Sequence, residues 1–322
     1  MKKVLITVAV LAVAGIMVSC QKDGAYSPKN KISKVYYEYD SLVDGVSSHS
    51  DKHLTEVWSW TDDKLDSINH MYADGTDISY VESYTYDGKH ISLVEQHYPG
   101  YTEPFSKTVF TYDGNKLTQV ENFSGSYLSS TYTFTHKAGK ISQIDVTYPS
   151  GSNYDYKSVP TVVRMMTAEV MPEEMMNKAF SRAKASTTRT LSIKLSYLGS
   201  NVSKVDYSTI YTTVDNGMET VETRTTTTKY EYDGKSNPYY EMMGGLSPIY
   251  LSKNNVKKET YTSSESVTED GELVEETNYL KEHVTEYTYT YDGCKPTMQS
   301  GKRTEVMGNR TDTYTKTYYY EY

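Results

Sequence analysis

The sequence predicts an all-β fold, a large antiparallel meander of about 16 strands forming a barrel or a strongly curved sheet, with one short helical insert. Three observations carry this. The first is a repeat: Tyr84-Thr85-Tyr86-Asp87-Gly88-Lys89-His90-Ile91-Ser92-Leu93-Val94 returns 26 residues later as Phe110 to Val120, and 24 after that as Phe134 to Ile144. The second is alternation within each copy. Aromatic residues two apart, such as Tyr84 and Tyr86 or Phe110 and Tyr112, are separated by Thr or Ser, the two-residue period of a strand with one covered face. The third is the spacing of turn signals: Asp62-Asp63, Asp74-Gly75, Asp87-Gly88, Pro99-Gly100, Asp113-Gly114, Ser124-Gly125, Ala138-Gly139 and Ser150-Gly151 follow one another at 11 to 14 residues. Such intervals fit short strands joined by tight hairpins.

Taken in order, the chain starts with Lys2 and Lys3, an apolar run from Val4 to Val18, and then Ser19-Cys20. A basic end, a short apolar stretch and a small residue before the cut make residues 1–19 a secretory signal peptide, too short for a comfortable membrane span. Met17-Val18-Ser19-Cys20 resembles the lipobox of bacterial lipoproteins, with Met17 where leucine is usual. The resemblance implies that Cys20 becomes the first mature residue and carries the lipid, several acyl chains being enough for stable anchoring. Residues 20–30 are then a lipidated polar tether, and 31–322 form a single repeat-built β domain.

Within that domain, Trp58 to Ile68 is a divergent copy of the repeat, and Ser41 to Asp51 is expected to be a long loop. In every copy the return strand poses one question. Ile91 and Val94 are three apart and cannot share a face of a regular strand, so either a bulge follows the turn or both faces are covered. The pattern breaks near Tyr156. Apolar residues at 171, 175, 176, 179 and 180, with Pro172 in the first turn, predict a helical insert near 167–186 that covers one end of the sheet. Strands resume from Thr190 through Asp233-Gly234. A segment rich in glycine, proline and aromatics, Asn237 to Asn255, then takes the place of a return strand and reads as a covering loop. Hairpins turning at Asp270-Gly271, Asp292-Gly293 and Gly308-Asn309 complete the chain.

Composition narrows function. There are 34 tyrosines against 5 phenylalanines and 2 tryptophans, which suggests a thin core whose tyrosine hydroxyls stay hydrated. The formal charge is −9, and loss of Lys2 and Lys3 leaves 31 basic against 42 acidic residues, or −11. With no basic cluster, a nucleic-acid partner held by its phosphates is excluded. The seven histidines show no zinc spacing, since His49 and His53 lack a third ligand in the sequence around them. No nucleophile elbow or phosphate-binding glycine loop occurs, so the chain is read as non-enzymatic, with no metal and no cofactor. Cys294, beside Asp292-Gly293, is a turn substitution without a base.

The Tyr-Asp-Gly repeats resemble the tyrosine-aspartate repeats of Rhs-type proteins, which form β-rich shells. The combination of lipobox, repeated Tyr-x-Tyr-Asp-Gly-x-Lys-Ile/Leu, Asn237-Pro238-Tyr239 and Ser252-Lys253-Asn254-Asn255 is similar to Bacteroidetes lipoproteins of unknown function with a porin-like β fold. That resemblance implies fold and an outer-membrane location, and it brings no activity. The face opposite the aromatics carries Thr85, Thr111, Thr131, Thr133, Thr135, Glu286, Thr288 and Thr290, and charge lies within the strand from Glu222 to Lys229. Lipid demands an apolar face there, so a water-soluble barrel or curved sheet tethered by lipid is favoured over a membrane-inserted one. Tyr314, Tyr318, Tyr320 and Tyr322 alternate like the assembly signal of outer-membrane barrels, although Asp312 and Lys316 share their face. The expected function is a binding module on the cell surface for a glycan or protein ligand. Trp58, Trp60, Asn237, Tyr239, Tyr240, Tyr250, Asn254 and Asn255 are its candidate contacts, because aromatic rings stack on sugar faces and amides bond hydroxyls. The alternative is a structural subunit of an outer-membrane assembly.

Overall fold

The computed structural model describes residues 31–149, 187–215, 217–240, 251–277, 283–307 and 310–322. All seventeen elements among them are strands. The first nine are β1 (Lys34–Val43), β2 (Val46–Thr61), β3 (Lys64–Met71), β4 (Ile78–Asp87), β5 (His90–His97), β6 (Ser106–Asp113), β7 (Lys116–Ser124), β8 (Tyr127–Lys137) and β9 (Lys140–Thr147). The remaining eight are β10 (Thr187–Leu198), β11 (Asn201–Asp215), β12 (Met218–Ser236), β13 (Asn254–Glu269), β14 (Glu272–Thr277), β15 (His283–Asp292), β16 (Lys295–Met307) and β17 (Arg310–Glu321). The expected helix near 167–186 lies outside the described residues. The expected loop from Ser41 to Asp51 is instead the tip of a hairpin. Asp44 and Gly45 take left-handed conformations, at φ 53 and 77, so the chain turns in two residues and Val43 pairs with Val46.

Every pairing is antiparallel, and the sheet closes. Consecutive strands pair from β1 to β13, β15 pairs with both β13 and β16, and β17 pairs with β16 and returns to β1, with Val35 opposite Tyr320. Sixteen strands make the ring. The extra one, β14, lies along Glu265–Glu269 of β13, ahead of β15, which takes Lys258–Tyr261. The choice between a barrel and a curved sheet is therefore settled as a closed barrel.

The repeat explains how each hairpin is built. Opposite Thr85 stands Leu93, but opposite Tyr86 stands Ile91, so Ser92 is an extra residue in β5. This bulge answers the three-residue spacing, because it turns Ile91 and Val94 to the same side, where both are buried. The Ser92 hydroxyl donates to the Thr85 carbonyl across the bulge at 3.2 Å. Thr118 to Thr111, Ser142 to Thr135 and Ser203 to Ser196 repeat the bond at 3.0 to 3.2 Å.

A second bond ties hairpin to hairpin. The ladder between β3 and β4 ends at Ser67 and Ser83, and that between β7 and β8 at Gln119 and Thr133, so neighbouring hairpins splay beyond those points. There an aromatic side chain replaces the missing backbone donor. Tyr86 Oη donates to the Leu65 carbonyl at 3.0 Å, Trp60 Nε1 to Ile32 at 2.7 Å, Tyr289 Oη to Val256 at 2.7 Å and Tyr322 Oη to Pro296 at 2.8 Å. His136 makes the same contact with Leu117 at 2.7 Å. Several tyrosine hydroxyls are thus consumed by backbone carbonyls, which corrects the expectation that they stay hydrated. The repeat lysine also gains a role, since Lys64 lies over the Tyr86 ring and Lys140 over Tyr197 at 4.9 and 4.8 Å.

The polarity of the wall is the inverse of a lipid-facing barrel. In a single-layer ring, a side chain with almost no exposure must point inward, and Leu65, Ile68, Ile91, Val94, Leu117, Val120, Ile141, Ile144, Val202 and Val205 do so. They join one core near the end of the barrel where the repeat hairpins turn, at Asp87-Gly88, Asp113-Gly114, Ala138-Gly139 and Asp292-Gly293. Outward stand Thr85, Thr111, Thr133, Thr135, Glu286, Thr288 and Thr290, all exposed, with ion pairs such as Lys107–Glu95 at 3.3 Å. Two expectations need adjustment. Arg224 is buried among inward side chains beside Glu265 at 3.2 Å, so the charge in β12 belongs partly to the interior. Tyr320 and Asp312 are also buried, whereas Lys316 between them is exposed, so the last strand turns inward at its two ends.

Candidate functional site

At the core end, the entry into β13, the second half of β15, the start of β16 and the end of β17 leave a concave pocket. It is lined by Tyr239, Glu259, Tyr287, Tyr289, Gln299 and Tyr320, with Asn237, Pro238, Asn255, Val256 and Pro296 around them. Free space inside is about that of one water molecule. Tyr239 anchors the wall, its ring 6.2 Å from Trp58 and 6.0 Å from Tyr320. Tyr287 sits directly over Gly301 on the neighbouring strand. A Cβ at Gly301 would come within 2.7 Å of the Tyr287 ring, so this glycine in mid-strand exists to admit the aromatic side chain.

The amides that line this region are largely engaged by the chain itself. Asn237 Nδ2 donates to the Ser252 carbonyl at 2.9 Å, and its Oδ1 accepts from the Tyr239 backbone N–H at 2.9 Å. Asn254 exchanges bonds with Asn201 at 3.0 and 3.1 Å. Asn255 donates to the Tyr291 hydroxyl at 3.1 Å. The Asn-Pro-Tyr and Ser-Lys-Asn-Asn segments are therefore a clip that fastens the entry of β13 onto the β10–β11 turn, where Ser252 Oγ also accepts from the Val202 N–H at 3.1 Å.

Of the candidate contacts, the fold brings Trp58, Asn237, Tyr239 and Asn255 to one place. Trp60 lies tilted beside Trp58 at 6.1 Å but spends its N–H on the Ile32 carbonyl. Tyr240 lies in the turn, its N–H bonded to the Asn237 carbonyl, and Asn254 serves the clip. Cys20 and Tyr250 lie outside the described residues. Sequence reasoning missed Glu259, Tyr287, Tyr289, Gln299 and Tyr320. Gly301 inside a strand was the one available signal, and it pointed to the residue opposite only once the register was known.

At mid-height the interior turns polar. Glu82 is fully buried, accepting from Gln96 Nε2 at 2.6 Å and Tyr84 Oη at 2.9 Å, with His70 Nε2 at 3.6 Å. Burial alone would raise its pKa, but the His70 charge and these bonds outweigh it and bring it down to about 2. Glu56, on the other side of His70 at 3.8 Å, is pushed up by burial despite a 2.7 Å bond from Trp58 Nε1. Thr108, Asn122 and Ser130 make a second buried chain at 3.0 and 3.1 Å.

On the outer surface of the first hairpin, ligand atoms of Glu38, Asp40 and His49 come within 4.8 Å of one another, a grouping that spacing along the chain did not suggest. Both imidazole nitrogens of His49 already meet carboxylates, Asp40 at 2.7 Å and Asp51 at 3.0 Å, which raise its pKa. The arrangement is a surface ion-pair cluster.

No protein-family model matches the sequence, and no curated protein matches it. Among solved structures, it is similar to a porin-like protein from Bacteroides vulgatus, at 11% identity and a TM-score of 0.42, over 91% of this chain and 99% of that one. An outer membrane channel from Pseudomonas putida is similar at 9% identity and a TM-score of 0.27, over 94% and 100% of the two chains. Neither likeness bears on what this chain does.

Proposed function

We propose that this chain is a water-facing β-barrel of the bacterial envelope, held by lipid at Cys20, that binds an extracellular ligand without transforming it. The observation that carries the reading is the pocket at the core end. Four tyrosine rings and two prolines supply flat apolar faces there, and Glu259 and Gln299 supply polar groups, the mixture that a sugar ring with its hydroxyls requires. The free space is small, so the ligand rests across the mouth and inserts one polar group. The Ser/Thr-rich and charged outer wall supports a barrel bathed in water, because a spanning barrel needs an apolar band on that face. The apolar core across one end supports a barrel that does not conduct.

Affinity electrophoresis against a panel of polysaccharides tests the binding role. Retention by at least one glycan, lost on Tyr239→Ala and on Gly301→Ala, is the expected result. Unchanged mobility across the panel would remove the glycan reading. Protease digestion of intact cells, compared with a Cys20→Ala variant, tests the address: the anchored protein should be cleaved without lysis. A second reading, a membrane-inserted channel, is favoured by one feature, a closed ring of sixteen strands, the number at which porin channels begin. Conductance steps in planar bilayers would support it.

A further inference from the structure

The large apolar side chains left exposed are not scattered. Of the fourteen among the described residues, thirteen lie on the rim opposite the repeat hairpins that turn at Asp87-Gly88, Asp113-Gly114 and Asp292-Gly293, or on the strand ends that lead into it, and only Leu198 lies at the core end. Three neighbouring connections carry tyrosines: Tyr72 after β3, Tyr98 and Tyr101 after β5, and Tyr127 at the start of β8, exposed by 54, 51, 72 and 80%. Farther round, Leu273 and Val274 follow the β13–β14 turn at 60 and 57%. Monomeric soluble proteins seldom leave so much apolar surface in one place without a use for it.

We infer that this rim rests on a lipid bilayer, its tyrosines and aliphatic side chains entering the headgroup region while the barrel wall stays in water. Three features select that occupant. The side chains form a ring of loop tips around a closed barrel, which meets a flat surface rather than a groove. Tyrosine, with an apolar body and a polar tip, is the residue suited to the membrane–water boundary. Most charges beside them are acidic, Asp74, Asp77 and Asp270 among them, and Arg310 is already paired with Asp44 and Asp312, so a second copy of the same rim is repelled and anionic lipid gives little attraction. A neutral, zwitterionic surface remains.

The geometry agrees with a lipid on Cys20. Ser33 lies at the core end, bonded to Glu321. The 13 residues from Cys20 to Ser33 reach about 45 Å when extended, more than the roughly 33 Å of a ten-residue strand. The acyl chains and the rim can therefore meet one bilayer, with the pocket presented on the far side. The rim contact does not depend on what that pocket binds.

The test uses the full chain in phosphatidylcholine vesicles, with Cys294→Ser and a polarity-sensitive fluorophore on Tyr127→Cys at the rim or Lys137→Cys at the core end. The Cys294→Ser chain without an added cysteine supplies the blank. Expected are a blue shift and at least threefold stronger quenching by brominated lipid for the rim label, little change for the other, and loss of the rim signal when Tyr72, Tyr98 and Tyr101 become Ser. Tyr72 and Tyr101 are exposed and Tyr98 gives up only its stacking on Phe105, so the triple variant should melt close to the parent temperature. A water-like rim label, a quenched core-end label, or Tyr127→Cys cross-linking between two copies without lipid would each overturn the inference.

Discussion

Tyr86 shows why this chain uses tyrosine where an ordinary core uses phenylalanine. Its ring lies under Lys64, and its hydroxyl supplies the bond that the Leu65 carbonyl lacks where two hairpins splay. Removing only the hydroxyl, in Tyr86→Phe, leaves that carbonyl unmet and should lower stability by about 1 kcal/mol, whereas Tyr127→Phe on the exposed rim should leave thermal melts unchanged. The sequence displayed the excess of tyrosine but not its cause, since the acceptor lies 21 residues away and is chosen by register. Glu82 makes a prediction of the opposite kind. Its carboxylate titrates in the fold at about 2 instead of 4.5, so the stability it contributes is complete above the ordinary value and is lost as pH falls toward 2. Glu56 is shifted up, and its contribution is present at low pH and lost as pH rises through its raised value. Urea melts between pH 5 and 2 should show falling stability in the parent and a flatter profile in Glu82→Gln, which also begins lower.

At the scale of the element, the hairpin was the most legible part of the structure. Alternating aromatics, Asp-Gly and the Ile/Leu-Ser/Thr-x-Val/Ile return announced strand, turn and strand, and the three-residue spacing of Ile91 and Val94 announced the bulge as one of two solutions. The bulge itself follows from a local rule: a hydroxyl after the first apolar residue crosses to the facing carbonyl. Ser142→Ala should therefore cost about 1 kcal/mol in denaturant melts without changing the fold, as should its counterpart Thr118→Ala. The candidate site was less legible. Asn237, Asn254 and Asn255 suggested ligand amides, yet most of their bonds close onto Ser252, Asn201, Ser236 and Tyr291, a long-range clip that no local pattern reveals. Gly301→Ala tests the pocket wall from the other side. The added methyl group must push the Tyr287 ring away, and the resulting strain should amount to about 1–3 kcal/mol, visible as a lower melting temperature and a changed tyrosine near-UV signal.

For the whole molecule, closure is what local sequence could not state. It is made by β17 returning to β1, nine residue pairs between segments nearly 300 positions apart, and by β9 meeting β10 over five more. What the sequence did foreshadow is the polarity of the wall, because threonine opposite every repeat aromatic has the same meaning whether the sheet closes or not. The proposed function requires this wall to face water. Single cysteines at Thr111, Thr133 and Thr288, in a Cys294→Ser background, allow the most direct measurement: the rate of labelling by a membrane-impermeant maleimide in isolated native membranes. A water-facing barrel predicts that all three label as fast as a cysteine at Lys137, at the end of β8. Protection of all three, relieved only by detergent, would mean that the wall is embedded in lipid and would overturn the proposed function.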